Sequence, residues 1–193
     1  MFLHEPPRSP DVDAMYDEDV ANDGYVWNNT RLWGYRPDVI REFVELRTRV
    51  TAGSSLSERE VAVLVAATAG AGRDSYCALA WGARVAKLAG DDAAVAVLTG
   101  AESPALSPRE AALATWARAV VRDPNGIAQA DVDALRAAGL DDREVFDATA
   151  FVALRLAFLV VDDALGAAPD APLAAAAPSA VRAAVTFGRP VDD

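Results

Sequence analysis

One signature occurs three times in this chain and commits it to helices. LSERE (56–60), LSPRE (106–110) and LDDRE (140–144) each place an apolar residue, a capping side chain and then a glutamate three positions after the cap. That order is a hydrophobic staple position followed by a capping box, in which side chains satisfy the first free N–H groups of a helix. Pro108 sits at a first helical position, where its missing N–H costs nothing. Helices are therefore predicted to begin near 58, 108 and 142. The copies are too short and too unevenly spaced to define a solenoid repeat.

The rest of the chain agrees. Asp74 and Gly90 bracket a helix over DSYCALAWGARVAKLAG, a short helix follows from Asp91 to Leu98, and another precedes Gly139. Pro37 opens a helix with Val39, Phe43, Leu46 and Val50 at helical spacing. The longest apolar stretch predicts a helix from Asp142 to Leu165, stopped by Gly166. No segment alternates with period 2 between hairpin turns. The expected fold is all-α, an antiparallel helical bundle. Residues 1–23 read as an acidic arm, 24–167 as the helical domain, and 168–193 as an Ala/Pro-rich tail with one short terminal helix.

Charge and cysteine usage narrow the partners. A net charge of −11 opposes binding to nucleic acid and to anionic membrane surfaces. The apolar run ATAFVALRLAFLVV carries Arg155 and is too short to span a bilayer. The first residues lack the apolar core of a secretion signal, and one cysteine cannot form an internal disulfide, so a cytoplasmic protein is expected. Arg155 and Asp162 share a helix face and read as a paired charge at a helix or subunit contact. No carboxylate spacing suits a metal, and nothing calls for a cofactor.

The one cysteine, Cys77, falls in the first turn after the cap Asp74. A thiol there meets the positive end of the helix dipole, which favours thiolate. Trp81 and Arg84 lie four and seven residues on, on the same face, as an apolar wall and an electrostatic helper. The bland account of Cys77 is a small buried hydrophobe. Glu60 is explained by capping alone, and Tyr76, Trp27, Trp33 and Tyr35 by core, interface or pocket wall.

LSEREVAVLVAATAG with DSYCALAWG resembles the core motif of the carboxymuconolactone decarboxylase and alkylhydroperoxidase D family. YDEDVANDGYVWNNTRLWGYRPDV before it and LSPREAALATWARAVVRDPNGIAQADVDALRAAGLDDREVF after it resemble the peroxidase-related branch, so the likeness spans roughly residues 16–170. The resemblance implies a homo-oligomer. In its redox members a glutamate precedes two cysteines, separated by two residues, and a histidine follows four residues later. Carried over, the peroxide-reducing cysteine falls on Cys77, the resolving cysteine on Asp74, and the histidine on Trp81. The glutamate most nearly matches Glu60, with two extra residues before the motif. The two-cysteine cycle is thereby lost, and the sole histidine, His4, lies in the arm.

The leading expectation is a peroxidase-like oxidoreductase reduced to one thiol. Cys77 is its nucleophile, Glu60 a proton acceptor, Trp81, Arg84 and Trp27 its substrate-binding side chains, and an external thiol its reductant. One alternative is a non-redox lyase or isomerase acting on a small organic substrate through Glu60, Asp74 and Tyr76, the small-molecule partner in either case being a peroxide or a small organic acid. The other is a binding or assembly protein without catalysis.

Overall fold

The computed structural model describes residues 1–191. The helices are α1 (Pro10–Asp23), α2 (Asn28–Trp33), α3 (Pro37–Ala52), α4 (Glu58–Gly72), α5 (Ser75–Ala89) and α6 (Asp91–Thr99). They continue with α7 (Pro108–Arg122), α8 (Gln129–Ala137), α9 (Asp142–Leu165), α10 (Ala171–Ala176) and α11 (Ser179–Ala184). A single 3-10 turn, Pro124–Gly126, lies between α7 and α8. There is no strand among the described residues, and no helix is long and apolar enough to cross a membrane.

The bundle is built around α4. From Ala62 to Ala69 every residue of this helix is buried, as expected of a helix that is apolar on all sides. It packs against α5, α6, α7 and α9. Its small residues permit the closest approach at Gly70, where an added Cβ would stand 2.3 Å from the Leu98 carbonyl oxygen of α6.

The three signature motifs start α4, α7 and α9, and all three capping boxes are closed. They do more than cap. Arg59 on α4 pairs with Glu110, the capping glutamate of α7. Arg109 on α7 pairs with the capping glutamates of α4 and α9, at 2.6 Å from Glu60 and 2.9 Å from Glu144. Three helix N-termini thus meet at one end of the bundle, and each capping carboxylate there answers a helix dipole and an arginine. Arg59 and Arg109, each preceding a capping glutamate, are the sequence signal for this clamp, whereas Arg143, in the same place before Glu144, pairs with Asp147 instead.

Several sequence expectations shift at the edges. The acidic arm is largely helix α1, whose Val12 and Tyr16 are buried. The tail folds into two short helices, α10 and α11, and Val181 of α11 is fully buried. On α3 the inward face carries Ile40, Phe43 and Val50, while Val39 and Leu46 are exposed. The helical period was right but its phase was not, because Arg47 occupies a position turned towards the protein.

Candidate active site around Cys77

The turn from α4 to α5 sets the site. Arg73 caps α4 in the left-handed conformation at φ 61°, and the Asp74 N–H donates back to the Ala69 carbonyl at 3.1 Å. This leaves Asp74 poised as the cap of α5. Its Oδ1 accepts the Tyr76 N–H at 2.8 Å and the Cys77 N–H at 3.3 Å. Asp74 is 1% exposed and Cys77 4%. The cysteine is therefore in the first helical turn, as the sequence implied, but it is sealed from solvent.

The thiol is not activated by its position. Burial pushes the Cys77 thiol well above its ordinary value, the charge of Asp74 pushes it further, and Arg155 offsets only part of this. Desolvation and an adjacent anion outweigh the helix dipole here, which corrects the expectation of a ready thiolate. The Asp74 carboxylate, which accepts the Cys77 N–H, lies beside the thiol and opposes its ionisation. Burial also raises Asp74, against the pull of the neighbouring thiol and of the two amides.

Arg155, in the middle of α9, faces this pair. It is 4% exposed, and its Nε is buried with no hydrogen-bond partner. The guanidinium lies 4.9 Å from the centre of the Trp81 ring and 5.7 Å from that of Phe158. Within the chain the paired-charge expectation is not met: Arg155 feels Asp162 but makes no ion pair with it among the described residues. Trp81, in the register of the family histidine, instead presents its π face to this cation.

From α3, Arg47 lies 5.8 Å over Phe158 with its Nη1 buried and unpartnered. Burial lowers it to about 10, helped by the charge of Arg155. Asp162, 1% exposed, accepts the Trp33 indole N–H at 2.8 Å through Oδ1, while its Oδ2 has no partner. Burial raises Asp162 to about 8 and Asp163 to about 6. Trp33 stacks on Phe158 at 5.5 Å and on Phe43 at 6.2 Å, closing the aromatic side of the cluster.

The other sequence candidates lie elsewhere. Glu60 is at the far end of α4 from the turn that carries Asp74, about 18 Å away along the helix axis. Its carboxylate accepts from Ser57 and Arg109; burial raises its pKa, but these hydrogen bonds prevail and lower it. Arg84 turns outward and pairs with Glu58 at 2.6 Å. The Tyr76 hydroxyl donates to Asp170, which also accepts the Asn28 N–H, so this ring ties the tail to α2. Trp27 lies 6.2 Å from Tyr76 and donates its indole N–H to Asp23. The acid–base trio of Glu60, Asp74 and Tyr76 is not assembled, since each carboxylate and hydroxyl serves a different contact.

Sequence reasoning missed Arg47 and Asp162 as neighbours of the thiol. Arg155 carried a signal, a lone cation inside an apolar run, but it was assigned to a partner on its own helix.

No family model matches the chain, and no curated protein matches it. Among solved structures it resembles an uncharacterized peroxidase-related protein from Ralstonia eutropha, described as an alkylhydroperoxidase AhpD core. That match has 25% identity, a TM-score of 0.74, and covers 90% of this chain and 94% of the other. A second uncharacterized peroxidase-related protein, from Silicibacter sp., matches with 21% identity and a TM-score of 0.77 over 90% of this chain and 93% of the other. The debrominase Bmp8 matches with 15% identity and a TM-score of 0.71 over 96% and 97%. A cysteine-to-alanine variant of that debrominase has been seen in complex with 2,3,4-tribromopyrrole.

Proposed function

Since this chain is an alkylhydroperoxidase D-like protein of the peroxidase-related branch, we propose that it is a single-thiol oxidoreductase in which Cys77 reacts and Asp74 takes the thiol proton. The observation that carries this reading is the placement of Cys77 beside the capping carboxylate of its own helix, which accepts the Cys77 N–H, next to a buried arginine. Asp74 supplies what the missing histidine would have supplied, a proton acceptor beside the sulfur.

With a hydroperoxide, the sulfur attacks one oxygen of the O–O bond. The S–O bond forms, the O–O bond breaks, and the proton held by Asp74 passes to the leaving oxygen, giving sulfenic acid and an alcohol or water. A low-molecular-weight thiol then forms a mixed disulfide with release of water, and a second such thiol restores Cys77 as the external disulfide leaves. Because the thiol is sealed, reaction proceeds through a locally opened state, and the rate follows that opening.

A flat halogenated ring is the second substrate class. The aromatic side chains of Trp81 and Phe158 beside Arg155 favour it, together with the likeness to the debrominase. There the sulfur would take the halogen, the ring carbon would take the proton, and external thiol would release halide.

Peroxide challenge of the purified protein, with a sulfenic-acid probe and intact mass, tests the proposal. Wild type should gain one oxygen at Cys77. Asp74→Asn, which keeps the cap but not the base, should slow oxidation at pH 7 by about a hundredfold. Its rate should then climb with pH as the thiol ionises unaided. A native thiol inert to hydroperoxide overturns the reading, and an unchanged pH profile removes Asp74 from it.

A further inference from the structure

Arg155 presents a problem that the thiol chemistry leaves unsolved. A guanidinium carries five N–H donors, and removing it from water without a hydrogen-bonding anion is among the most costly arrangements a fold can hold. Stacking on Trp81 returns only part of that cost. An apolar side chain of similar size would serve the packing between α5 and α9 better.

Arg47 adds a second cation, with a buried unpartnered Nη1, 5.8 Å from the centre of the same Phe158 ring that Arg155 approaches to 5.7 Å. The anions nearby do not balance the two. Asp162 is held protonated at neutral pH by burial and by the charge of Asp74. Asp74 is already engaged by two backbone amides. Asp163 is next to Asp162 and feels Arg189 rather than the arginines of the cluster. The cluster is thus one positive charge in excess, next to flat aromatic faces and next to the sulfur.

Resting on the reading of Cys77 as the reacting thiol, we infer that Arg155 and Arg47 receive the carboxylate of a small monoanionic substrate, laid against Trp81 and Phe158 beside Cys77. A single negative charge matches the excess. A dianion would overfill it and meet Asp74. The substrate class is therefore an acidic one, a carboxylate-bearing hydroperoxide or ring, rather than a neutral hydroperoxide.

Two alkylating reagents of nearly the same shape, anionic iodoacetate and neutral iodoacetamide, test this without any peroxide. In each, the Cys77 sulfur forms a bond to carbon, iodide leaves, and the thiol proton departs through Asp74. The iodoacetate-to-iodoacetamide rate ratio at Cys77 should exceed that of free glutathione by about tenfold, the value of one charge-assisted contact. The excess should vanish in Arg155→Met and persist in part in Arg155→Lys. Benzoate should protect wild-type Cys77 where benzamide does not. Should Arg155→Met fail to fold, Arg47→Met, on a helix with no buried residue, is read in its place. Should the native thiol resist both reagents, the thermal shift with benzoate against benzamide decides: a larger shift with benzoate supports the site, and equal shifts overturn it. A rate ratio equal to that of glutathione, with no protection by benzoate, also overturns it. Selective alkylation without peroxide oxidation would keep the carboxylate site and discard the peroxidase reading. Peroxide oxidation without selectivity would do the reverse.

Discussion

Asp162→Asn should make the protein more stable at alkaline pH, and the size of the gain follows from the structure. Asp162 is 1% exposed, and burial raises its carboxyl from 3.8 to about 8. Between those values the folded chain keeps a proton that the unfolded chain has released. Stability then falls as pH rises, because the native state binds more protons than the unfolded one. The contribution is fully present below the unfolded value and is lost as pH climbs through about 8. The slope for one proton is about 1.4 kcal/mol per pH unit. From pH 5 to pH 8 the wild type should therefore lose on the order of 4 kcal/mol relative to the variant. Asparagine copies the shape of the protonated acid, and its carbonyl can still accept the Trp33 indole N–H. Other titrating groups are common to both proteins and cancel in the difference. Urea unfolding of the pair, followed by tryptophan fluorescence at pH 5 to 9, measures it. The separation should widen steadily and level off above about pH 9. Parallel stability curves would refute the claim that this carboxyl is held neutral inside the fold.

Two further expectations concern the frame rather than the thiol. Glu60→Gln should cost about 1–2 kcal/mol in urea unfolding, through the weakened cap and the lost Arg109 pair. It should leave Cys77 alkylation rates within about twofold, since a capping role reaches no further than the end of the helix; a collapse of those rates would return Glu60 to the reacting groups. Gly70→Ala should cost about 1–3 kcal/mol, because its Cβ meets a backbone oxygen of α6 that cannot rotate away. An unchanged unfolding midpoint would show that α4 and α6 are free to separate.

The helices were legible where their chemistry is local. Ser57, Ser107 and Asp141 each announce a helix start within the next residue, and the structure begins α4, α7 and α9 at those places. Gly166 likewise ends α9 in the left-handed region, as its lack of a Cβ allows. The helix over residues 10–23 was hidden because its acidic surface gives it almost no apolar stripe; only Val12 and Tyr16 turn inward. The phase of α3 was misread for a related reason. Arg47 lies where a periodicity count expects a hydrophobe, and the count moved to the wrong face.

At the site, the position of Cys77 on its helix was readable from Asp74 alone. Its protonation was not, because that depends on how much water α9 and α3 exclude. Arg84 was chosen over Arg155 by sequence proximity. The choice turned on which helix packs against the first turn of α5, and that is a long-range property of the chain.

The reciprocal arginine–glutamate grip between the starts of α4, α7 and α9 has a consequence for how this protein tolerates change. Because the cassettes of α4 and α7 carry the same arginine and glutamate in the same order, and each arginine grips the other's glutamate, these two are nearly interchangeable parts. Grafting LSERE onto the start of α7 and LSPRE onto the start of α4 should yield a chain that still folds. Far from that joint, at the opposite end of α4, the surroundings of the sulfur would go on unaltered. Sequence drift can accumulate at one pole of the bundle while the chemistry at the other is left alone.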